Sequence, residues 1–352
     1  MIRLKTYLTL CIACLSVLTI QAQDVHFSQY SITQFMVNPA LTGLFKGDFR
    51  ASVHYRSQWQ SVGNGYTTSA MSVDAPFLNK VSEKTYLGVG LSLYSDKAGT
   101  GNYGTTQINT SISGIHHLTV QHVIAAGFNA SYVQRSLDQT QFTWSSQYDP
   151  SMGYNANLST EENALLNSVN NFDVSAGVVW KFRSHNSPNI YLDQFRSRVG
   201  FAMHHVNTPN MSLVEGLQDD AKIKYVAHAS GWVKMADRLA LLPSFYYLKQ
   251  GPHSEVVTGA LVRVEVQPRA KYGKLNGFDI LLGSQYRVGD ALIPTAAFRV
   301  NNYELRISYD VNVSSLTTAS QYMGGLEVGL IFRTPNPFTG NRISLRMGDQ
   351  RI

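Results

Sequence analysis

The chain holds only two cysteines, Cys11 and Cys14, and both fall in its first 22 residues. The remainder has none, which excludes a disulfide framework, thiol chemistry and a cysteine-ligated metal. Long apolar runs are missing as well. No stretch of eighteen apolar residues occurs, so membrane-spanning helices are excluded. Excess charge of one sign is also scarce. Without Arg3 and Lys5, the 29 basic and 23 acidic residues leave +4, and Arg333, Arg342, Arg346 and Arg351 against Asp349 put +3 of that in the last twenty residues. The rest is nearly neutral, so no nucleic-acid partner is implied.

The N-terminus reads as an export signal. Arg3 and Lys5 form a basic start, residues 8–20 are apolar, and Ile20-Gln21-Ala22 offers a small residue before a cut at Gln23. The expectation is a signal peptide over residues 1–22 and Sec-type export. A lipid-acceptor role for either cysteine is disfavoured, because apolar sequence continues beyond both.

What the mature chain does have is alternation. Through residues 303–314, Tyr303, Leu305, Ile307, Tyr309, Val311 and Val313 are apolar, and Glu304, Arg306, Ser308, Asp310, Asn312 and Ser314 are polar. Period two means a strand with one apolar and one polar face. Twelve residues exceed a usual soluble strand but suit a tilted strand crossing about 30 Å of hydrocarbon. Similar segments, bounded by Gly, Asn, Asp or Pro, recur at 49–59, 66–75, 85–95, 104–115, 122–135, 172–183, 196–206, 222–235, 239–249, 254–266, 278–288, 291–300 and 323–333.

Fourteen strands predict an all-β, antiparallel up-and-down transmembrane barrel in the outer membrane. Residues 23–46 then form a pre-barrel segment, 47–334 the barrel and 335–352 a C-terminal tail. An N-terminus in the periplasm makes the longest connection, residues 136–171, extracellular. Short turns near 118–121, 236–238 and 301–302 fall on the periplasmic side, although 267–277 would be long there. Pro243 and Pro294 lie inside expected strands, where each removes a ladder donor and implies a bulge or a shifted boundary. Nineteen Tyr, sixteen Phe and four Trp suit interfacial girdles. A secreted β-sandwich array would also alternate, but its strands average about five or six residues.

Facing can be read in single segments. Phe49, Ala51, Val53, Tyr55 and Trp59 oppose Arg50, Ser52, His54, Arg56 and Gln58, while Leu87, Val89, Leu91 and Leu93 alternate with Gly88, Gly90, Ser92 and Tyr94. The polar partners are often small, which suits a crowded or plugged interior more than a charge-lined pore.

No catalytic or metal site emerges, and no cofactor is implied. His116-His117 and His204-His205 are adjacent strand residues that should point to opposite faces, so neither pair is expected to ligate one ion. An intramembrane Ser-His-Asn hydrolase would need all three residues on one outward face. Gly63-Asn64-Gly65 and Gly99-Thr100-Gly101-Asn102 are hairpin turns, not phosphate loops.

The distinctive stretch begins the mature chain. Residues 23–30 (QDVHFSQY) lead to Asn38-Pro39-Ala40-Leu41-Thr42-Gly43 and then to Tyr55-Arg56-Ser57-Gln58-Trp59. Asn38-Pro39 starts a turn, Gly43 supplies a permissive backbone position, and Phe27, Tyr30, Phe35 and Met36 need something to bury against. His26, Phe27, Tyr30, Asn38, Pro39, Gly43, Arg56 and Trp59 are therefore the candidate plug or partner contacts.

These motifs, with Asp74-Ala75-Pro76, Gly88-Val89-Gly90 and Asp96-Lys97-Ala98-Gly99, resemble the PorP/SprF family of type IX secretion system membrane proteins of Bacteroidetes. The resemblance implies a non-enzymatic outer-membrane barrel in contact with lipid. It also implies secretion and gliding components as partners, and large clients such as gliding adhesins to be exported or held at the surface. A diffusion porin or small-solute transporter, and an outer-membrane barrel phospholipase, are the alternatives.

Overall fold

The computed structural model describes residues 24, 27–60, 63, 65–77, 84–162, 164–184, 194–268, 277–315 and 317–334. The expected signal peptide, His26 and the tail at 335–352 lie outside the described residues. Among the described residues fourteen strands build the barrel: β1 (Arg50–Gln58), β2 (Tyr66–Phe77), β3 (Thr85–Ala98), β4 (Tyr103–His117), β5 (His122–Ser136), β6 (Ser168–Arg183), β7 (Phe195–His204), β8 (Lys224–Ala236), β9 (Leu239–Gln250), β10 (His253–Gln267), β11 (Phe278–Arg287), β12 (Ala291–Val300), β13 (Tyr303–Asn312) and β14 (Met323–Arg333). Each pairs antiparallel with its neighbour, and β1 pairs with β14 from Arg50↔Arg333 to Gln58↔Gly325, closing the barrel.

Closure satisfies the edge donors that hydrocarbon cannot. The expected faces hold. Val53, Tyr55, Leu91, Ile112, Phe128, Ile307 and Tyr309 are exposed on the outside, whereas Arg50, Ser52, His54, Arg56, Ser308 and Asp310 are buried inside. The small inward residues foreseen on β3 form only part of the lining. β1 and β10–β14 carry inward charges, including Arg287, Arg299, Glu304 and Glu327.

Two expectations need correction. Pro243 and Pro294 cause no bulge and mark no strand end, since each keeps its partner on one side, Ala260 and Ser284. On the other side the ladder skips two pairs and resumes in the same register, between Ser230↔Ser244 and Val233↔Leu241 and between Leu292↔Val311 and Thr295↔Ser308. Lacking an N–H, proline opens the ladder locally without adding a residue. The bulges lie elsewhere, at residues 234–236, 265–267 and 310–311. The longest connection is also shorter than expected, because β6 starts at Ser168.

That connection, residues 137–167, is folded. Two 3-10 turns (Gln139–Gln141 and Ser145–Gln147) precede a small hairpin that pairs Tyr148 with Tyr154. It docks on the connection 205–223 through Leu166 N to Leu213 O (2.7 Å) and Glu215 N to Ala164 O (2.8 Å). Both connections stand at the same end of the barrel.

A fourteen-strand barrel is wider than its wall side chains can fill. Residues 27–44 enter the lumen as a plug, with a single helical turn α1 (Gln34–Val37) and a 3-10 turn (Pro39–Leu41). Their apolar side chains land on inward-facing apolar wall residues. Tyr30 joins Val226, Tyr246, Leu248 and Ile293, while Ala40, Leu41 and Leu44 join Ile115, Val123 and Val179.

Candidate functional site: the lumenal plug

The plug is tied to the wall at four levels. At the long-loop end, the Asp24 carboxylate lies 2.5 Å from His205 Nε2 and 2.8 Å from Lys224 Nζ. Burial alone would raise the Asp24 pKa, but Lys224 and His205 hold it well below the usual carboxylate range. For His205, burial works against the charge, yet Asp24 and Asp173, whose Oδ1 is 3.0 Å from Nδ1, push it up to about 9.

The histidine pair thus departs from expectation. β7 ends at His204, and His205 has φ 57°, which breaks the alternation and turns both rings inward. His204 meets Ser175 Oγ and the Val37 carbonyl, each at 3.1 Å.

One level further in, the Phe27 ring stacks on His54 at 4.1 Å. The fully buried Glu327 accepts the backbone N–H groups of Ser28 (2.8 Å) and Gln29 (2.9 Å), and lies 3.2 Å from Arg56 Nε and 3.3 Å from His54 Nε2. Ser28 Oγ donates to Asp310, which also faces Arg287 at 2.9 Å and Arg56 at 3.3 Å. Arg287 in turn donates to Ser28 Oγ. Buried charges of both signs and a backbone turn satisfy one another here, as buried ions require.

The third tie joins α1 to the wall. Gln34 Oε1 accepts from Arg50 (2.8 Å) and Arg198 (3.1 Å), and Arg50 forms a two-point pair with Asp74 at 2.8 and 2.6 Å. Asp74 Oδ2 also accepts the Gly43 N–H at 2.7 Å. Gly43 has φ +68°, and a Cβ there would stand 2.6 Å from the Cα of Gly88, so the chain crosses the wall glycine in direct contact.

The fourth tie is the Asn38-Pro39 turn. Asn38 Oδ1 caps Ala40 N at 3.0 Å, and its amide reaches the carbonyls of Val178 (3.1 Å) and Phe201 (3.2 Å) and the ring of His228 (3.1 Å). Pro39 occupies the first position of the 3-10 turn, where its missing N–H leaves no donor unmet. Its carbonyl carbon lies where a Cβ on Gly127 would be, 2.3 Å away.

Phe27, Tyr30, Asn38, Pro39, Gly43 and Arg56 therefore meet in one lumenal assembly. Trp59 does not join it, because it follows β1 with φ 56° and packs edge-on against Tyr66 at 5.5 Å. Sequence reading missed Asp74, Glu327, Asp310 and Arg287 as plug ligands. Parity assigns them to the lumen, but pairing with residues 28–43 depends on how the segment threads. The available signal was apolar residues on inward positions, such as Ile115 and Val179, which mark where the plug lands.

Beside the plug remains a cavity of about 70 Å³, with Phe27, Tyr30 and Tyr246 on one side and Gln107, Asn109 and Asn129 on the other. Its volume is far below the roughly 300 Å³ at which sites for drug-sized ligands begin.

A closed barrel with an apolar outer band and a lumen stopped by its own N-terminal segment is a plugged outer-membrane β-barrel. The sequence matches the Type IX secretion system membrane protein PorP/SprF family over residues 19–326, and the chain belongs to that family. No curated protein sequence matches it. Among solved structures it is similar to the toluene transporter TbuX of Ralstonia pickettii, with 10% identity over 87% of this chain and 94% of that one and a TM-score of 0.50. A FadL homologue of Pseudomonas aeruginosa matches with 11% identity over 84% and 91% of the two chains, at a TM-score of 0.42. The TbuX likeness is one of fold alone.

Proposed function

We propose that this barrel serves the type IX system as a non-enzymatic component that helps export large secreted proteins or holds them at the cell surface, gliding adhesins being the expected clients. Its partners are outer-membrane lipid, the secretion and gliding components and the client. Residues 23–46 serve as the plug of the 47–334 barrel, delivered by Sec-type export after loss of residues 1–22. Family membership supports the secretion role. The observation that carries the reading away from a diffusion porin is the filled lumen, where Glu327, Asp310, Asp74 and Asn38 tie the plug to the wall.

Removing residues 24–43 while keeping the export signal tests this. The expected result is loss of client display with the barrel still inserted in the membrane. Unchanged secretion and display, together with raised uptake of small solutes, would replace the proposal with a solute channel.

A further inference from the structure

Lysine and arginine are sorted by face in this barrel. Alternation turns strand-borne cations such as Arg50, Arg198, Arg287 and Arg299 into the lumen, and among the described strand residues only Lys97 and Lys249 point outward. Both lie at the long-loop end. An outward cation is strongly destabilising near the bilayer midplane but tolerated at the interface. These two positions are therefore interfacial, where an ammonium can reach headgroups while its stem lies along apolar surface.

Lys249 has company that Lys97 lacks. Tyr225 pairs with it across β8 and β9, and Lys222 reaches the same place from the connection entering β8. Together with Asp220 they line an open groove of about 430 Å³ on the outer surface. The Asp220 carboxylate meets the Gln218 amide at 3.3 and 3.4 Å, and neither lysine has an ion pair among the described residues. Phe201 stacks beside Tyr225 at 6.3 Å, forming an aromatic shelf of the kind that sits at the water–lipid boundary.

We propose that this groove binds the phosphomonoester of an outer-leaflet glycolipid, with Lys222 and Lys249 as its two cations and Tyr225 as the shelf beneath the sugar. Two ammoniums against the one carboxylate of Asp220 leave the groove with a net positive charge, which a bound anion offsets. Tyr225 and Lys249 are paired outward-facing residues at the end of β8 and β9, so the groove they line is accessible from the lipid side, where a membrane phosphate is present at high local concentration. The proposal rests on the outer-membrane reading and on the long-loop end facing outward; it is independent of the secretion role.

The test uses the full chain in phosphatidylcholine nanodiscs containing bis-phosphorylated lipid A, with bound lipid read by native mass spectrometry. Replacing both lysines (Lys222→Ala with Lys249→Ala) should weaken lipid A retention roughly thirtyfold, the combined effect of two lysines near an anionic surface. Dephosphorylated lipid A should bind the parent no better than phosphorylated lipid A binds that variant. Changing both lysines to Arg should keep binding, and Lys97→Ala should leave it unaltered. Equal retention by the double alanine variant, an equal loss with Lys97→Ala, or loss in the charge-keeping arginine variant would overturn the proposal. So would displacement of the lipid by millimolar inorganic phosphate, which marks a free-anion site.

Discussion

Glu327 shows how much one inward side chain decides. It binds two backbone amides of the plug and faces Arg56 and His54, all out of contact with bulk water. Removing one partner of such a network strands the other charges, a loss of about 3–5 kcal/mol. Glu327→Ala should therefore lower the stability of the folded barrel by that amount in folding titrations into lipid vesicles, while Glu327→Gln, which keeps an acceptor, should cost less. A loss under about 1 kcal/mol for the alanine variant would mean that water enters the cluster and replaces the carboxylate.

His205 carries the pH dependence of the same segment. Its ring faces Asp24 from the plug, Asp173 from β6, Lys224 from β8 and His204 beside it. Because its folded pKa is raised to about 9, its contribution is complete below the ordinary histidine value near 6.5 and is lost as pH rises through 9. The N-terminal end of the plug should become more accessible to protease between pH 7 and 10, and this sensitivity should vanish in His205→Ala. Protection that instead falls as pH drops from 7 to 5 would reverse the sign.

At the scale of the element, alternation sets what each strand position tolerates. Ile307 faces outward and is 38% exposed, whereas its neighbour Ser308 is buried and receives the Gln29 amide. Ile307→Arg should cost ~2–4 kcal/mol if near the midplane, by vesicle folding titration. Ser308→Arg keeps its charge off the lipid and should insert more readily, but it should disturb the plug at Gln29. Equal insertion penalties for the two would contradict the facing.

For the whole molecule, the interlocked connections 137–167 and 205–223 define one end, and the short turns at residues 118–121, 237–238 and 301–302 the other. Long connections outside and short ones inside are the usual asymmetry of such barrels. An epitope inserted at Asn157, an exposed position in the folded connection, should be detected on intact cells. Detection only after outer-membrane permeabilisation would invert the molecule. It would also move the Lys222–Lys249 groove to the inner leaflet.

Strand number, span and facing were legible without coordinates, because period-two patterning is local and each residue's side follows from parity alone. Phe27, Tyr30, Asn38, Pro39 and Gly43 stood out for the same reason: apolar side chains and turn chemistry outside any strand demand a place to pack. Tertiary structure decided the rest. Which carboxylate meets Ser28, which guanidinium meets Gln34 and which glycine lies under Pro39 depend on contacts between residues up to about three hundred positions apart. Parity places Glu327 in the lumen but cannot say what shares it. The inward turn of His205 and the departure of Trp59 arise from left-handed backbone just past a strand end, where alternation no longer applies.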